Sequence, residues 1–283
     1  MDTSRASSGF PSGGRQAADS DCAYTTAQRL QACEELLSAA GGWLGAVVPS
    51  KQAPWLVQRQ TELILRAIES MHGTVLVAKA QRWVPTYALA RVLLEDAAVA
   101  HWLAVHADPV TLETRWQEHL DAARFGDFKT QQALELDIDA ETIEWQLAQD
   151  PAYLEHVSNR HRDGANHWTG KSVTKLVAEA SAQGAPARRD WDGRTRLLSR
   201  AASRVLRLAN LGLHHSPAAC QNWYAAPNEL LPEALRFAWL AFSLHATLAL
   251  EDLAPQHVDQ LRALIDRQGH IFSTEAQDQT AAT

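Results

Sequence analysis

Apolar residues recur every three to four positions along most of the chain, the spacing that places them on one face of an α-helix. The first such segment follows Thr25 or Thr26, either of which can cap a helix, and it stops at Gly41 and Gly42. Its apolar positions are Leu30, Cys33, Leu36, Leu37 and Ala40. The pattern predicts an amphipathic first helix that faces a core.

Proline marks where many of the later helices should start, because its fixed φ suits the first helical turn. Two long apolar segments, 54–75 and 85–105, are predicted to form the heart of a bundle. Loops are predicted at 160–171 and 181–193, where Gly, Asn and Pro interrupt the periodicity. Helix starts are predicted at or near Pro54, Pro85, Asp108, Asp139, Pro151, Ser172, Arg194, Pro232 and Pro255.

No segment alternates apolar and polar residues in the manner of a strand, and no repeat of fixed period is visible. The sequence therefore predicts an all-α multi-helix bundle of about eight to ten helices without a sheet. One helical domain is expected over residues 24–271. Residues 1–23, rich in Ser, Gly and Ala, and residues 272–283 are expected to be disordered tails.

Polar residues interrupt every apolar run before it reaches membrane-spanning length, and the N-terminus has no apolar block of signal-peptide length. We therefore expect a cytoplasmic protein with no membrane partner. Cys22, Cys33 and Cys220 have neither disulfide-framework nor zinc-ligand spacing, so we expect free thiols. The ten tryptophans are spread over the predicted helices, which favours core packing over a ligand-stacking role.

Charge is distributed unevenly along a chain whose net charge is −7. Residues 159–207 contain eleven Lys or Arg against four acids, a local charge of +7 that leaves −14 for the rest. Arg196, Arg200, Arg204 and Arg207 share one helical stripe, which would form a basic, anion-binding ridge. The ridge favours RNA or another polyanion as ligand, unless it is a solvated face or pairs with acids of this chain or of a partner protein.

Arg91 and Glu95 lie one turn apart within an otherwise apolar helix, so they are predicted to be partly buried together. Two interpretations stay open: a core ion pair, or the polar centre of a small-molecule pocket that His214 or His215 would complete. If the pair is buried, loss of Glu95 should cost roughly 2 to 4 kcal/mol.

Metal and cofactor chemistry is not indicated by the sequence. Glu69 and His72 supply one Glu-x-x-His motif, but a di-iron bundle needs two and the chain has no second copy. Phosphate-binding Gly-rich loops, Gly-x-Ser-x-Gly elbows and His-Glu-x-x-His motifs are absent from the sequence. We expect no metal and no cofactor, and enzymatic activity stays open.

Three stretches resemble a bacterial all-helical family known only as domain of unknown function 5677. They are LARVLLEDAAVAHWLA around Arg91 and Glu95, HWTGKSV from His167 to Val173, and LANLGLHHSP, which ends at Pro217. The resemblance implies a helical fold and leaves activity open. Either His214 or His215 would match the family histidine.

Two Arg-to-His spacings, Arg162 to His167 and Arg207 to His214, resemble the active-site motif of HEPN ribonucleases. The resemblance implies that the histidine acts on the ribose 2′-hydroxyl while the arginine steadies the phosphate, in a cleft shared by two subunits of a homodimer. Arg162 and His167 depart from that pattern because Gly164 and Asn166 favour a loop. These four residues are the candidate catalytic set.

The residues thus lead to three hypotheses of different kinds. The first is RNA or polyanion binding, with HEPN-like ribonuclease activity as its boldest form. The second is a small-molecule binding or modifying domain centred on Arg91, Glu95 and His214. The third is a protein–protein interaction module whose basic ridge docks an acidic surface.

Overall fold

The computed structural model describes residues 24–45, 47, 53–105, 110, 112–114, 171–185, 187–213 and 227–272, with side chains omitted at 206–213 and 227–229. These residues form seven α-helices and one 3₁₀ turn, and none of them is in a strand. The helices are α1 (Thr26–Leu44), α2 (Trp55–Lys79), α3 (Trp83–Val105), α4 (Val173–Gln183), α5 (Trp191–Leu213), α6 (Pro227–Leu253) and α7 (Val258–Phe272), with the 3₁₀ turn at Pro255–His257. The predicted all-α class is confirmed.

The first helix begins where its sequence predicts but ends later. Thr25 and Gln28 form a reciprocal capping box: the Gln28 backbone N–H donates to Thr25 Oγ1 at 3.2 Å, and the Thr25 N–H donates to Gln28 Oε1 at 2.8 Å. The predicted stop at Gly41 and Gly42 is wrong, because α1 runs through both to Leu44. Leu44 is buried, so apolar packing at the end of the helix outweighs the low helix propensity of glycine.

Two predicted helix starts are wrong. The fifth helix begins at Trp191 rather than Arg194, and the buried Trp191 ring anchors that first turn. The sixth begins at Pro227, so Pro232 lies inside it rather than at its start. An interior proline leaves one helical carbonyl without its amide partner, and the extensive burial of α6 offsets that loss.

Helix α3 lies at the centre of the bundle and packs against α2, α4, α5 and α6. It runs antiparallel to α2, since Gln60 Nε2 donates to the Ala100 carbonyl while Gly73 lies against Leu89 further along. A Cβ at Gly73 would lie 3.3 Å from Leu89 Cδ1, so glycine permits this close helix approach. Antiparallel packing of long helices with buried faces is typical of a bundle.

Two clusters of buried side chains form the core. The larger contains residues of all seven helices, with Val177 as the contribution of α4, and the smaller joins α2, α3, α4, the start of α5 and Leu248 of α6. Trp102, Trp191 and Trp239 are buried, and each indole N–H donates a hydrogen bond: to Glu179, to the Ala180 carbonyl and to Gln268 respectively. For these three tryptophans the predicted packing role is confirmed.

The described part of the chain ends with α7. Phe272 ends α7 and is buried, and the predicted domain and its tails stay predictions. Residues 1–23 and 273–283, and most of the helices predicted from Asp108, Asp139 and Pro151, lie outside the described residues. Among the helices that are described, none has an apolar stretch long enough to span a bilayer.

Candidate functional site

The basic region divides into paired and unpaired side chains. Within the described residues, Lys171, Arg188, Arg194 and Arg204 form ion pairs with acids. Lys175, Arg189, Arg196 and Arg200 form none there. Pairing with acids of the same chain, one of the alternatives that the sequence left open, therefore applies to half of these eight cations.

Arg196 and Arg200 lie together on a groove of about 580 Å³ between α4 and α5. Both are exposed, and one helical turn separates them by about 6 Å along the axis. Ser181 and Ser199 line the same groove and add hydroxyl donors, while Asp192 is the one acid among its described lining residues. Guanidinium and hydroxyl groups are the usual protein partners of phosphate oxygens, so the groove is suited to an anion.

Arg204 differs from Arg196 and Arg200 of the predicted stripe because it forms an ion pair. Its Nε lies 2.6 Å from Oε1 of Glu233 on α6, and the Tyr87 hydroxyl of α3 donates to Glu233 Oε2 at 2.7 Å. Burial, together with Glu233, raises the pKa of Tyr87 well above its usual range. These contacts connect α3, α5 and α6, so Arg204 has a structural partner that Arg196 and Arg200 lack within the described residues.

The candidate catalytic residues can be placed only in part. Arg207 lies in α5, on the same helix as Arg196 and Arg200, but its side chain is not described. Arg162, His167, His214 and His215 lie outside the described residues. The two Arg-to-His spacings therefore stay predictions.

Arg91 and Glu95 do form the predicted ion pair, with Arg91 Nε donating to Glu95 Oε1 at 2.8 Å. Their side chains are 32% and 28% exposed, so they are partly buried together. Neither residue lines the α4–α5 groove. Because both charges reach water, the pair has little desolvation to overcome and should contribute little to stability.

The fully buried carboxylate belongs to the next residue, Asp96. Its side chain is 0% exposed and accepts two hydrogen bonds from Arg66 of α2, one of them from Nε at 3.0 Å. Arg66 itself is 60% exposed, so the pair crosses from the core to the surface. Burial lowers the pKa of Arg66, and nearby Glu95 acts in the opposite direction.

Two histidines are buried in the same bundle, one on α3 and one on α6. The ring nitrogen Nδ1 of His101 donates to the Ala97 carbonyl at 2.7 Å, which leaves Nε2 as an acceptor that has no partner in the part of the chain that the structure describes. Both ring nitrogens of His245, and Oε1 of Gln60, have no hydrogen-bond partner among the described residues. Burial lowers the pKa of His101 to about 4 and that of His245 to about 3, so both rings are neutral near pH 7.

Glu251, near the end of α6, accepts hydrogen bonds from three arginines. Arg194 approaches both of its carboxylate oxygens, at 3.1 and 2.5 Å, while Arg188 lies at 3.1 Å and Arg262 at 2.7 Å. Burial acts to raise the pKa of Glu251, but Arg194 and Arg188 outweigh it and hold that pKa below its usual range. The cluster connects α5, α6 and α7.

Sequence reasoning missed Asp96, His245 and Glu251, although the sequence carried a signal for the first two. Asp96 is adjacent to Glu95 within the same apolar helix segment, but only Arg91 and Glu95, one turn apart, were singled out from the sequence. His245 lies with Ser243 and Thr247 in the largely apolar run LAFSLHATLAL, and such a run indicates that its few polar side chains are buried too. Glu251 had no local signal because its three arginines come from distant parts of the chain.

Two further observations bear on function. Across the described residues, no three His, Cys, Asp or Glu side chains converge in a way that could hold a metal ion. Comparison of the chain with protein-family models, curated proteins and solved structures finds no match in any of the three.

Proposed function

We propose that the protein binds RNA, or another polyanion, along the α4–α5 groove. The supporting observation is the pair Arg196 and Arg200: both are exposed, both line the groove, and neither forms an ion pair within the described residues. An unpaired arginine keeps all five N–H donors for a ligand. Arg204, which contacts Glu233, contributes less.

Charge separation within the molecule supports the same proposal. The chain carries −7 overall, yet residues 159–207 carry +7, so a polyanion would be attracted to one region and repelled by the rest. Such a distribution orients a phosphate backbone without reading its sequence. Binding should therefore be weakly dependent on sequence and strongly dependent on salt.

The direct test is binding of fluorescent single-stranded RNA to the full chain at low ionic strength, followed by anisotropy. Arg196→Gln combined with Arg200→Gln should weaken binding by roughly tenfold or more, since two phosphate contacts are lost. The matched control, Arg82→Gln combined with Arg267→Gln, removes two exposed cations elsewhere and the same net charge. Equal weakening by both double variants would show a general charge effect and overturn the groove.

Cleavage is the bolder part of the proposal and rests on the HEPN-like spacings. His214 would act on the 2′-hydroxyl with Arg207 at the phosphate, or His167 with Arg162 would do so. His214→Ala should then abolish cleavage of bound RNA while it leaves affinity unchanged, because a general base contributes to the reaction rather than to binding. His167→Ala tests the second spacing, and only one of the two variants should lose activity.

A further inference from the structure

A second groove, of about 660 Å³, lies between α5 and α7 and has α6 as its floor. That volume falls within the range of small-molecule sites. Three polar side chains of its wall, Arg194, Ser243 and Thr247, are more than nine-tenths buried. The groove is on a different face of α5 from Arg196 and Arg200, neither of which lines it.

The two ends of this groove differ in chemistry. Along its floor, α6 runs from Trp239 to Thr247, about 12 Å at the helical rise per residue. The Thr247 end lies beside Arg194 and Arg262, both bound to Glu251 one turn further on. The remaining wall is mainly apolar, formed by Leu197, Trp239, Leu240, Leu244, Ala263 and Ile265.

The side chains enclosed at the polar end of the groove carry a net charge of +1. Three arginines, Arg188, Arg194 and Arg262, surround two carboxylates, Glu251 and Asp252, and all five side chains are less than a third exposed. Arg189 adds an exposed cation at the rim that has no ion pair within the described residues. An anionic group would complete this arrangement, because a surplus charge shielded from water is stabilised by an opposite charge.

The two hydroxyl groups in the middle of the groove already donate hydrogen bonds within the protein. The Ser243 hydroxyl donates to the Leu240 carbonyl at 3.0 Å, and the Thr247 hydroxyl donates to the Ser243 carbonyl at 2.7 Å. Their donor hydrogens are therefore used within α6, and an apolar chain could lie over them without stranding a polar group.

Acids on the rim restrict the ligand to a single anionic group. Asp190, Asp259 and Asp266 line the groove and are exposed, Asp259 to 95%. Asp259 lies 3.9 Å from Arg262, but a pair with so exposed an acid is weak, so the enclosed charge is only partly offset. The three acids would repel a ligand with several negative charges. RNA is therefore disfavoured here, in contrast to the α4–α5 groove.

We propose that the α5–α6–α7 groove binds an amphipathic monoanion: a carboxylate at the Arg189, Arg194 and Arg262 end, with a medium-length acyl chain over Leu197, Leu240 and Leu244. The apolar wall supplies affinity through burial of methylene groups, and the arginines select the charge of the head group. This site is independent of RNA binding.

Isothermal titration calorimetry with decanoate tests the site, because an extended decanoate is about as long as the apolar stretch. The full chain should bind it saturably at one site, and decyltrimethylammonium, with the same tail and a cationic head, should bind about tenfold more weakly. Leu197→Glu and Arg189→Gln should each weaken decanoate binding about fivefold or more. Both residues are exposed, so the variants should fold, which circular dichroism checks.

Matched controls separate the groove from general effects. Leu76→Glu alters another exposed apolar residue, on α2, and Arg267→Gln removes another exposed cation, on α7; both should bind like the wild type. Absence of saturable decanoate binding up to about 1 mM would overturn the proposal, since a site of this kind should exceed that affinity. So would equal binding of the cationic analogue, or groove variants that bind like the controls.

Discussion

Glu95 and Asp96 are neighbours in the sequence but have different environments. The Glu95 side chain is 28% exposed beside Arg91, whereas Asp96 is fully buried and depends on Arg66 for its hydrogen bonds. A buried ion needs its partner far more than an exposed one does, since water can replace the partner only at the surface. In this region we therefore expect Arg66 and Asp96 to contribute more to the free energy of unfolding than Arg91 and Glu95, the pair that the sequence predicted.

The first prediction concerns which member of this pair is more costly to remove. Arg66→Ala leaves the buried Asp96 carboxylate without its counter-ion and should cost about 3 to 5 kcal/mol of unfolding free energy. Asp96→Asn leaves only the largely exposed Arg66 and should cost less, about 1 to 2 kcal/mol. Urea titration measures both, with Arg91→Ala as a control expected within about 1 kcal/mol of wild type. An Arg66→Ala variant as stable as the control would refute the buried pair.

The second prediction concerns pH. His101 and His245 have folded pKa values of about 4 and about 3, below the unfolded value of about 6.5. The unfolded chain therefore binds more protons below pH 6.5, so stability is complete above that pH and falls as the pH drops towards 4. Between pH 7 and pH 5 each histidine should contribute a loss of about 2 kcal/mol.

Replacement of one histidine isolates this contribution from that of the other titrating groups. His245→Gln removes one titrating ring, so the variant should lose about 2 kcal/mol less than the wild type over the same pH range. Urea unfolding at both pH values provides the comparison. Identical pH dependence in the two proteins would mean that His245 is not buried as a neutral ring.

At the scale of elements, α6 joins the bundle together. It packs against α3 along much of its length, meets α5 through Glu233 and Arg204, and meets both α5 and α7 through Glu251. Apolar periodicity predicted this helix but not its start. Proline is common in the first turn of a helix, so the sequence indicates a start at Pro232, although that residue lies inside α6. The end of α1 was missed for a similar reason: two glycines imitate a stop signal that tertiary packing overrides.

The third prediction tests the connection between α5, α6 and α7. Glu251→Ala removes the carboxylate shared by Arg188, Arg194 and Arg262, of which Arg194 is the most buried, and should cost about 3 to 5 kcal/mol of unfolding free energy. Asp259→Ala is the matched control, since that acid is 95% exposed and lies 3.9 Å from Arg262. A loss below about 1 kcal/mol for Glu251→Ala would show that the cluster does not hold these helices.

At the scale of the whole molecule, the fold class followed from periodicity, because an amphipathic face must be buried against other helices. Only part of the candidate site could be predicted from the sequence. Sequence spacing placed Arg196, Arg200 and Arg204 on one stripe, but it could not reveal that Glu233, on another helix, pairs with Arg204. Whether an arginine forms an ion pair depends on contacts between segments that are distant in the sequence. Local sequence patterns do not predict those contacts.

The salt dependence of RNA affinity tests the central claim most directly. Each phosphate neutralised on a single strand contributes about −0.7 to the slope of log affinity against log salt concentration. Arg196→Gln combined with Arg200→Gln should therefore flatten the slope by about 1.4, while Arg82→Gln combined with Arg267→Gln should leave it unchanged. A slope near zero for the wild-type protein, or one that the groove variant does not alter, would contradict RNA binding at Arg196 and Arg200.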